Sequence, residues 1–377
     1  MGDQETQFII EAIGEKTRGS QPAQHYAGPV TVIQARDRLA DAPADTPADA
    51  VVMVLPTFRL HAGEPLGHGL KRLGVDAIDE AIAVFYDGDV QFGEAVHTAR
   101  KSTKKVRSLL RLVRFEVGER VYHFENEWLR DTSRLLSAVR TSSVLVSGAQ
   151  DIRDMYGPLL ADGTFDEVLE RLAANRDRIE ERVMEDPEVV PRVVSNLERA
   201  RGRYESWPAD PDARRVYGIG IRNEYRAVGP GVKAIHARGR REMVAAYNAP
   251  SPESFHRWRK RVRYLGRQLE ILTPLWPEVM IGMAITLDRI SELLGQDHDL
   301  AELLQTLADR PDLCPNPLER ALMTALAEQR RSDLQTAARI LGRRMYAESP
   351  SAFAERLGAY WESMELARTT HLVSHPA

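Results

Sequence analysis

From Gly69 onward, apolar residues return every three or four positions: Leu70, Leu73, Val75, Ile78, Ala81, Ile82 and Phe85, up to a break at Asp87-Gly88. That period is the signature of an amphipathic helix. It recurs at about 93–116, 120–147, 164–184, 188–205, 213–228, 230–247, 251–273, 277–294, 299–308, 316–345 and 350–368. Alternation of period two is scarce, and the interruptions are Gly, Pro and Asp clusters such as Trp207-Pro208-Ala209-Asp210-Pro211. The pattern predicts an all-α chain of long helices joined by short loops, the arrangement of antiparallel bundles. Residues 1–56 read differently. A short helix is predicted near Phe8–Ile13 and a short strand near Val30–Gln34. The run ADAPADTPADA over 40–50 has the composition of a linker.

Within the helical portion one pattern occurs twice. His97-Thr98-Ala99-Arg100-Lys101 is followed by Lys104, Lys105, Arg107 and Arg111; His256-Arg257-Trp258-Arg259-Lys260 is followed by Arg261, Arg263 and Arg267. The two histidines are 159 residues apart, about half of the folded portion, so the chain from 57 to 377 is expected to be a duplicated unit with halves of about 57–207 and 208–377. At 100° per residue His97, Arg100, Lys101, Lys104, Ser108 and Arg111 share one face. Ala99, Val106, Leu109, Leu110 and Val113 share the opposite one. In the second copy His256, Arg259, Lys260, Arg263 and Arg267 form the stripe. Trp258, Val262, Leu265, Leu269 and Leu272 form its apolar back. From His97 to Arg111 such a ribbon spans ~21 Å.

Composition changes the reading of that ribbon. The 377 residues carry 51 Lys+Arg against 55 Asp+Glu, a net charge of −4, which argues against a uniformly basic partner for nucleic acid. The balance is uneven. Residues 1–56 hold eight acidic and four basic side chains, whereas Ala95–Phe115 holds seven basic and none acidic and Phe255–Leu269 six and none. Solvated helix faces normally mix signs, because like charges at i,i+4 repel. Two acid-free stripes at matched positions point instead to a polyanionic ligand. The single cysteine, Cys314, excludes a disulfide framework and fits a reducing cytosol. The polar, acidic start is unlike a secretory leader. The longest apolar run, Val51 to Leu55, is far too short for a membrane span.

Each histidine opens its stripe one turn before an arginine. The surrounding cations should hold its ring neutral until a phosphate arrives, after which it can donate a hydrogen bond or take a charge. Metal ligation is disfavoured by the same cations. The dipeptide His298-Asp299 is shared with metal-dependent phosphohydrolases, but the remaining ligands are absent. The simpler expectation is that Gly295 ends one helix and Asp297 or Asp299 caps the next.

Taken together these residues resemble the CHAD family, the conserved histidine α-helical domains. The resemblance runs from Phe58-Arg59-Leu60 and Gly63-Glu64-Pro65 through both His-x-x-Arg-Lys copies, Glu125-Asn126, Leu129-Arg130-Asp131, Tyr225-Arg226 and Leu294-Gly295-Gln296-Asp297-His298-Asp299-Leu300. It implies two pseudo-symmetric four-helix bundles around a basic groove or pore that binds inorganic polyphosphate, in the cytoplasm at polyphosphate granules and beside granule-associated proteins. By residue match, His97, Arg100, Lys101, Lys104, Lys105 and Arg111, with His256, Arg259, Lys260, Arg263 and Arg267, would line that groove. Arg107, Tyr264, Arg226, Arg140 and His298 would support it. Arg140-Thr141 departs from the Arg-Asp pair common in the family. The Glu-x-Glu-x-Lys signature of the triphosphate-tunnel domain carried by some relatives is absent, so no triphosphatase activity is expected. The leading expectation is non-catalytic polyphosphate binding, with no cofactor, no metal and no membrane. Nucleic acid is disfavoured because only Tyr264 flanks the stripe, whereas single strands call for stacking aromatics. A polyphosphatase or phosphotransfer enzyme with His97 or His256 as nucleophile is the alternative, and a nucleic-acid-binding or scaffold protein is the third reading.

Overall fold

The computed structural model describes residues 55–207 and 220–374. The expected helix near Phe8–Ile13, strand near Val30–Gln34, linker over 40–50 and first part of the stretch 213–228 lie outside the described residues. From Phe58 onward the chain forms one compact unit.

Twelve α-helices and no strand occur among the described residues, so the all-α expectation holds. They are α1 (Leu66–Ala83), α2 (Phe92–Leu112), α3 (Arg114–Val117), α4 (Glu119–Arg134), α5 (Ser137–Tyr156), α6 (Asp166–Glu185), α7 (Val189–Glu205), α8 (Gly229–Asn248), α9 (Pro252–Ile271), α10 (Pro277–Asp309), α11 (Pro317–Met345) and α12 (Pro350–Ser374). Four open on proline, whose missing N–H costs nothing in a first turn. At α9 the start is fixed further by a capping box: Ser251 Oγ accepts from Ser254 N at 3.2 Å and Ser254 Oγ accepts from Ser251 N at 3.0 Å. That sets the register of the second cationic stripe.

Three boundaries differ from the pattern. The stretch 120–147 is two helices broken at Leu135 and Leu136; neither Gly nor Pro marks the break, and the buried Leu136 keeps the apolar period running across it. Conversely, 277–294 and 299–308 are one helix. Gly295 lies inside α10, and Asp297 and Asp299 are interior residues rather than caps. Buried Asp297 instead accepts from Arg331 Nε at 3.0 Å and Gln335 Nε2 at 2.8 Å, both on α11. The described part of 213–228 holds only the 3₁₀ turn Tyr225–Ala227.

The apolar back of each stripe is buried as the period requires, from Ala99 on α2 to Val113 just past its end and from Trp258 on α9 to Leu272 just past its end. Helix α1 packs on α2 and α7, α4 on α2 and α7, and α5 on α6. In the second half, α8 packs on α9 and α12, and α10 on α9 and α11. Between these groups α2 meets α8 and α9, while α5 meets α10 and α11. The crossing of α8 over the end of α2 needs Gly231, where a Cβ would stand 2.0 Å from the Leu112 carbonyl oxygen.

Candidate functional site

The contact of α2 with α9 brings the two sequence copies together. Arg100 and Lys104 from α2, Arg259 and Arg263 from α9 and Arg140 from α5 form a central cluster. Arg100 Nη1 donates to the Ser133 carbonyl; neither Lys104 nor Arg263 has a side-chain hydrogen bond or ion pair among the described residues. The electrostatic consequence is large. Burial, reinforced by Arg263, Arg100, Arg259 and Arg140, brings the Lys104 ammonium down to about 6. Burial and the neighbouring Arg259 and Arg267 bring Arg263 down to about 10. Among the buried N–H groups here, Arg100 Nε and Arg259 Nε find no acceptor. A buried donor left unpaired costs about 1–3 kcal/mol.

The histidines sit at the edge of this cluster. His97 is exposed at the rim; partial withdrawal of its ring from water and the charges of Arg140, Lys104, Lys101 and Arg263 lower its pKa. His256 is half-buried against His298 of α10, ring centroids 4.0 Å apart. Burial, reinforced by His298, Lys260 and Arg259, pulls His256 to about 3, and burial with Arg259 and Lys260 pulls His298 to about 4. Both rings are therefore neutral at pH 7, as the sequence leads one to expect of the stripe histidines.

The stripes are less free of acid than they look, because neighbouring helices and the last turn of α9 supply carboxylates. Lys105 Nζ donates to Glu80 Oε2 of α1 at 2.6 Å, and Arg267 Nη1 to Glu270, three residues on along α9, at 2.5 Å. Asp299 of α10 stands 3.7 Å from Arg140 Nη2 and 3.9 Å from Arg259 Nη1. Glu302, one turn on, is 3.5 Å from His298 Nε2. Lys105 and Arg267 are thus largely neutralised, and the charge is concentrated in the four central arginines, with Lys104 ready to take a proton among them.

A second cationic group adjoins the first. Arg107 Nε and Arg111 Nη2 both donate to Asn126 Oδ1, at 3.1 and 2.8 Å, and the Arg111 guanidinium lies 4.0 Å from the centre of the Tyr264 ring. Burial raises the Tyr264 phenol, but Arg111, Arg107, Arg261 and Lys260 outweigh it and bring its pKa below the usual value. Lys101 and Lys260 are exposed beside these groups. Arg226 gives its charge to Glu224, two residues away. Asn126, Arg261, Asp299 and Glu302 are the participants that the helical period does not select. Arg261 lies 140° off the stripe, and the others come from different helices.

Among the described residues no group of three or more His, Cys, Asp or Glu is placed to hold a metal ion, and no helix is long and apolar enough to cross a membrane. Residues 77–308, more than half of the chain, match the family described as CHAD domain, and the chain belongs to that family, which is associated with polyphosphate binding. Both His-x-x-Arg-Lys helices and Asp299 fall inside the match; the segment Phe58–Pro65 and the helices after 308 fall outside it. No curated protein matches the chain.

Proposed function

We propose that this CHAD-family chain binds inorganic polyphosphate along the seam between α2 and α9, without turning it over, and that it does so at polyphosphate granules. The observation that carries the reading is the central cluster, in which Arg100, Lys104, Arg140, Arg259 and Arg263 converge from three helices and no carboxylate hydrogen-bonds any of them. Such a cluster is a standing repulsion that a dense line of oxyanions relieves. Unstacked, base-free phosphate fits it better than a single-stranded nucleic acid. The aromatic at its edge, Tyr264, is buried and already covered by Arg111.

The seam is also the place where two copies of one unit would meet. Shifting the first-half helices by 159 positions lays α1 over α8, α2 over α9, the broken pair α4–α5 over the continuous α10, α6 over α11 and α7 over α12. That order, five matched elements in each half, supports two related helical bundles with a basic groove between them. Phosphotransfer through a histidine is the second reading, favoured by the approach of Glu302 to His298.

Titration of long-chain polyphosphate against RNA of equal charge, over a salt series, tests the binding. Selective, salt-sensitive polyphosphate binding is expected, and equal affinity would overturn the selectivity. Orthophosphate release from the polymer in the presence of Mg²⁺, abolished by His298→Ala, would favour the second reading.

A further inference from the structure

We propose that Asp299 is a built-in counter-anion that sets the length selectivity of the groove, lowering affinity for short phosphates more than for the long polymer. The inference rests on the polyphosphate reading above. Asp299 sits between an arginine from each half, Arg140 and Arg259, at 3.7 and 3.9 Å. These distances are beyond hydrogen-bond reach. Structural ion pairs in the same molecule look different: Arg114 grips Glu119 with two bonds of 2.7 and 2.6 Å, and Arg203 grips Glu125 with two of 2.6 and 2.9 Å. Asp299 therefore biases the charge of the cluster without locking its guanidinium groups.

Nor has the carboxylate a favourable place to retreat. Behind it a cavity of 420 Å³ is lined by Asp151, Asp154, Gln296 and Arg330. Asp151 repels it from that side, while Arg259, Arg140 and Lys104 attract it from the other. Arg330 is the one cation across the cavity, and it already donates to Gln296 Oε1 at 3.1 Å. Glu302, one turn along α10, adds negative charge on the same flank beside His298.

An oxyanion entering between Arg140 and Arg259 thus gains two cations and meets one fixed anion. For pyrophosphate or tripolyphosphate that exchange is most of the binding. A long polymer engages Arg100, Lys104 and Arg263 at once and can shift its register so that an uncharged bridging oxygen faces Asp299. The same carboxylate then costs it less.

Calorimetric titration of wild type and Asp299→Asn with pyrophosphate, tripolyphosphate and long-chain polyphosphate tests this. Short-chain affinity is expected to rise about tenfold and long-chain affinity no more than about threefold, so that the preference for length shrinks. Glu302→Gln should act in the same direction more weakly, and it carries the test should Asp299→Asn lose its helical circular dichroism. Unchanged or weakened short-chain binding, or an equal gain for all lengths, would overturn the inference. A wild-type chain that binds no polymer at all would overturn the reading beneath it instead.

Discussion

Gly295 and Arg259 are complementary: the guanidinium of Arg259 occupies the space that a Cβ on Gly295 would take, its Nη2 lying 2.6 Å from that position. A glycine inside a 33-residue helix costs about 1 kcal/mol relative to alanine. Here it opens a notch in α10 that seats a cation of α9. Gly295→Ala is expected to leave the fold intact, since the displaced group is the end of a flexible side chain, and to weaken polyphosphate binding. In an Arg259→Ala background the same substitution should have no further effect on binding. A double-mutant cycle by titration reads this, and additive losses would show that Gly295 acts by another route.

Lys104 gives the site a pH dependence of defined sign. Its pKa of about 6 in the empty protein means that the ammonium is mostly deprotonated at neutral pH, and a bound polyanion returns it toward its ordinary value. Protons are therefore taken up on binding, and affinity should fall by up to about tenfold per pH unit from about pH 6 to pH 8. Lys104→Met should flatten that slope to the residue left by the histidines. Titrations in buffers of unlike ionisation enthalpy count the protons directly.

Salt dependence separates the clustered cations from the rest. Replacing Arg100, Arg140 or Arg263 with Gln should weaken binding and reduce the slope of log affinity against log salt by about one per cation removed. Arg226→Gln should change neither quantity, because Arg226 is spent on Glu224. A loss at Arg226 equal to that at Arg263 would place the ligand elsewhere.

Stability should decline in acid through His236. This residue of α8 is fully buried, stacked on Phe353 at 4.3 Å with Tyr346 at its edge. Burial lowers its pKa to about 4. Above the unfolded-state value of about 6.5 the ring is neutral in both states and contributes nothing to pH dependence. As pH falls from there to about 4, only the unfolded chain binds the proton, at a cost of about 3 kcal/mol to the fold. Urea denaturation at pH 7 and pH 4.5 should show this loss, and His236→Phe should remove most of its share.

Gly231 is a packing prediction with no flexible neighbour to absorb it. Its missing Cβ faces the Leu112 carbonyl oxygen at 2.0 Å, and that backbone belongs to the end of the helix carrying His97. Gly231→Ala should destabilise by about 2 kcal/mol or more, in contrast to Gly295→Ala. Thermal melting of the two variants side by side checks the difference.

The helical period made most of the fold legible. It placed α2, α6, α7, α8, α9 and α11 within a few residues of their bounds and identified which faces of α2 and α9 are buried. It failed where local and tertiary signals diverge. Gly295 looks like a stop signal because the residue that needs the gap, Arg259, is 36 positions away. Leu135 and Leu136 look like continuous helix because a break without Gly or Pro leaves no mark on the apolar pattern. The same limit applies to the site. The cations of each stripe are written on one helix, but their counter-charges Glu80, Asp299 and Glu302 belong to α1 and α10, so the stripes read as more uniformly positive than the folded surface is.

The chain repeats its His-x-x-Arg-Lys pattern, and among the described residues the two copies converge on one cluster. Arg100 and Lys104 come from the first copy, Arg259 and Arg263 from the second, and Arg140 from a helix outside both. Among the described residues the repeat therefore supplies two sides of one cationic cluster, and neither side alone is a smaller version of it.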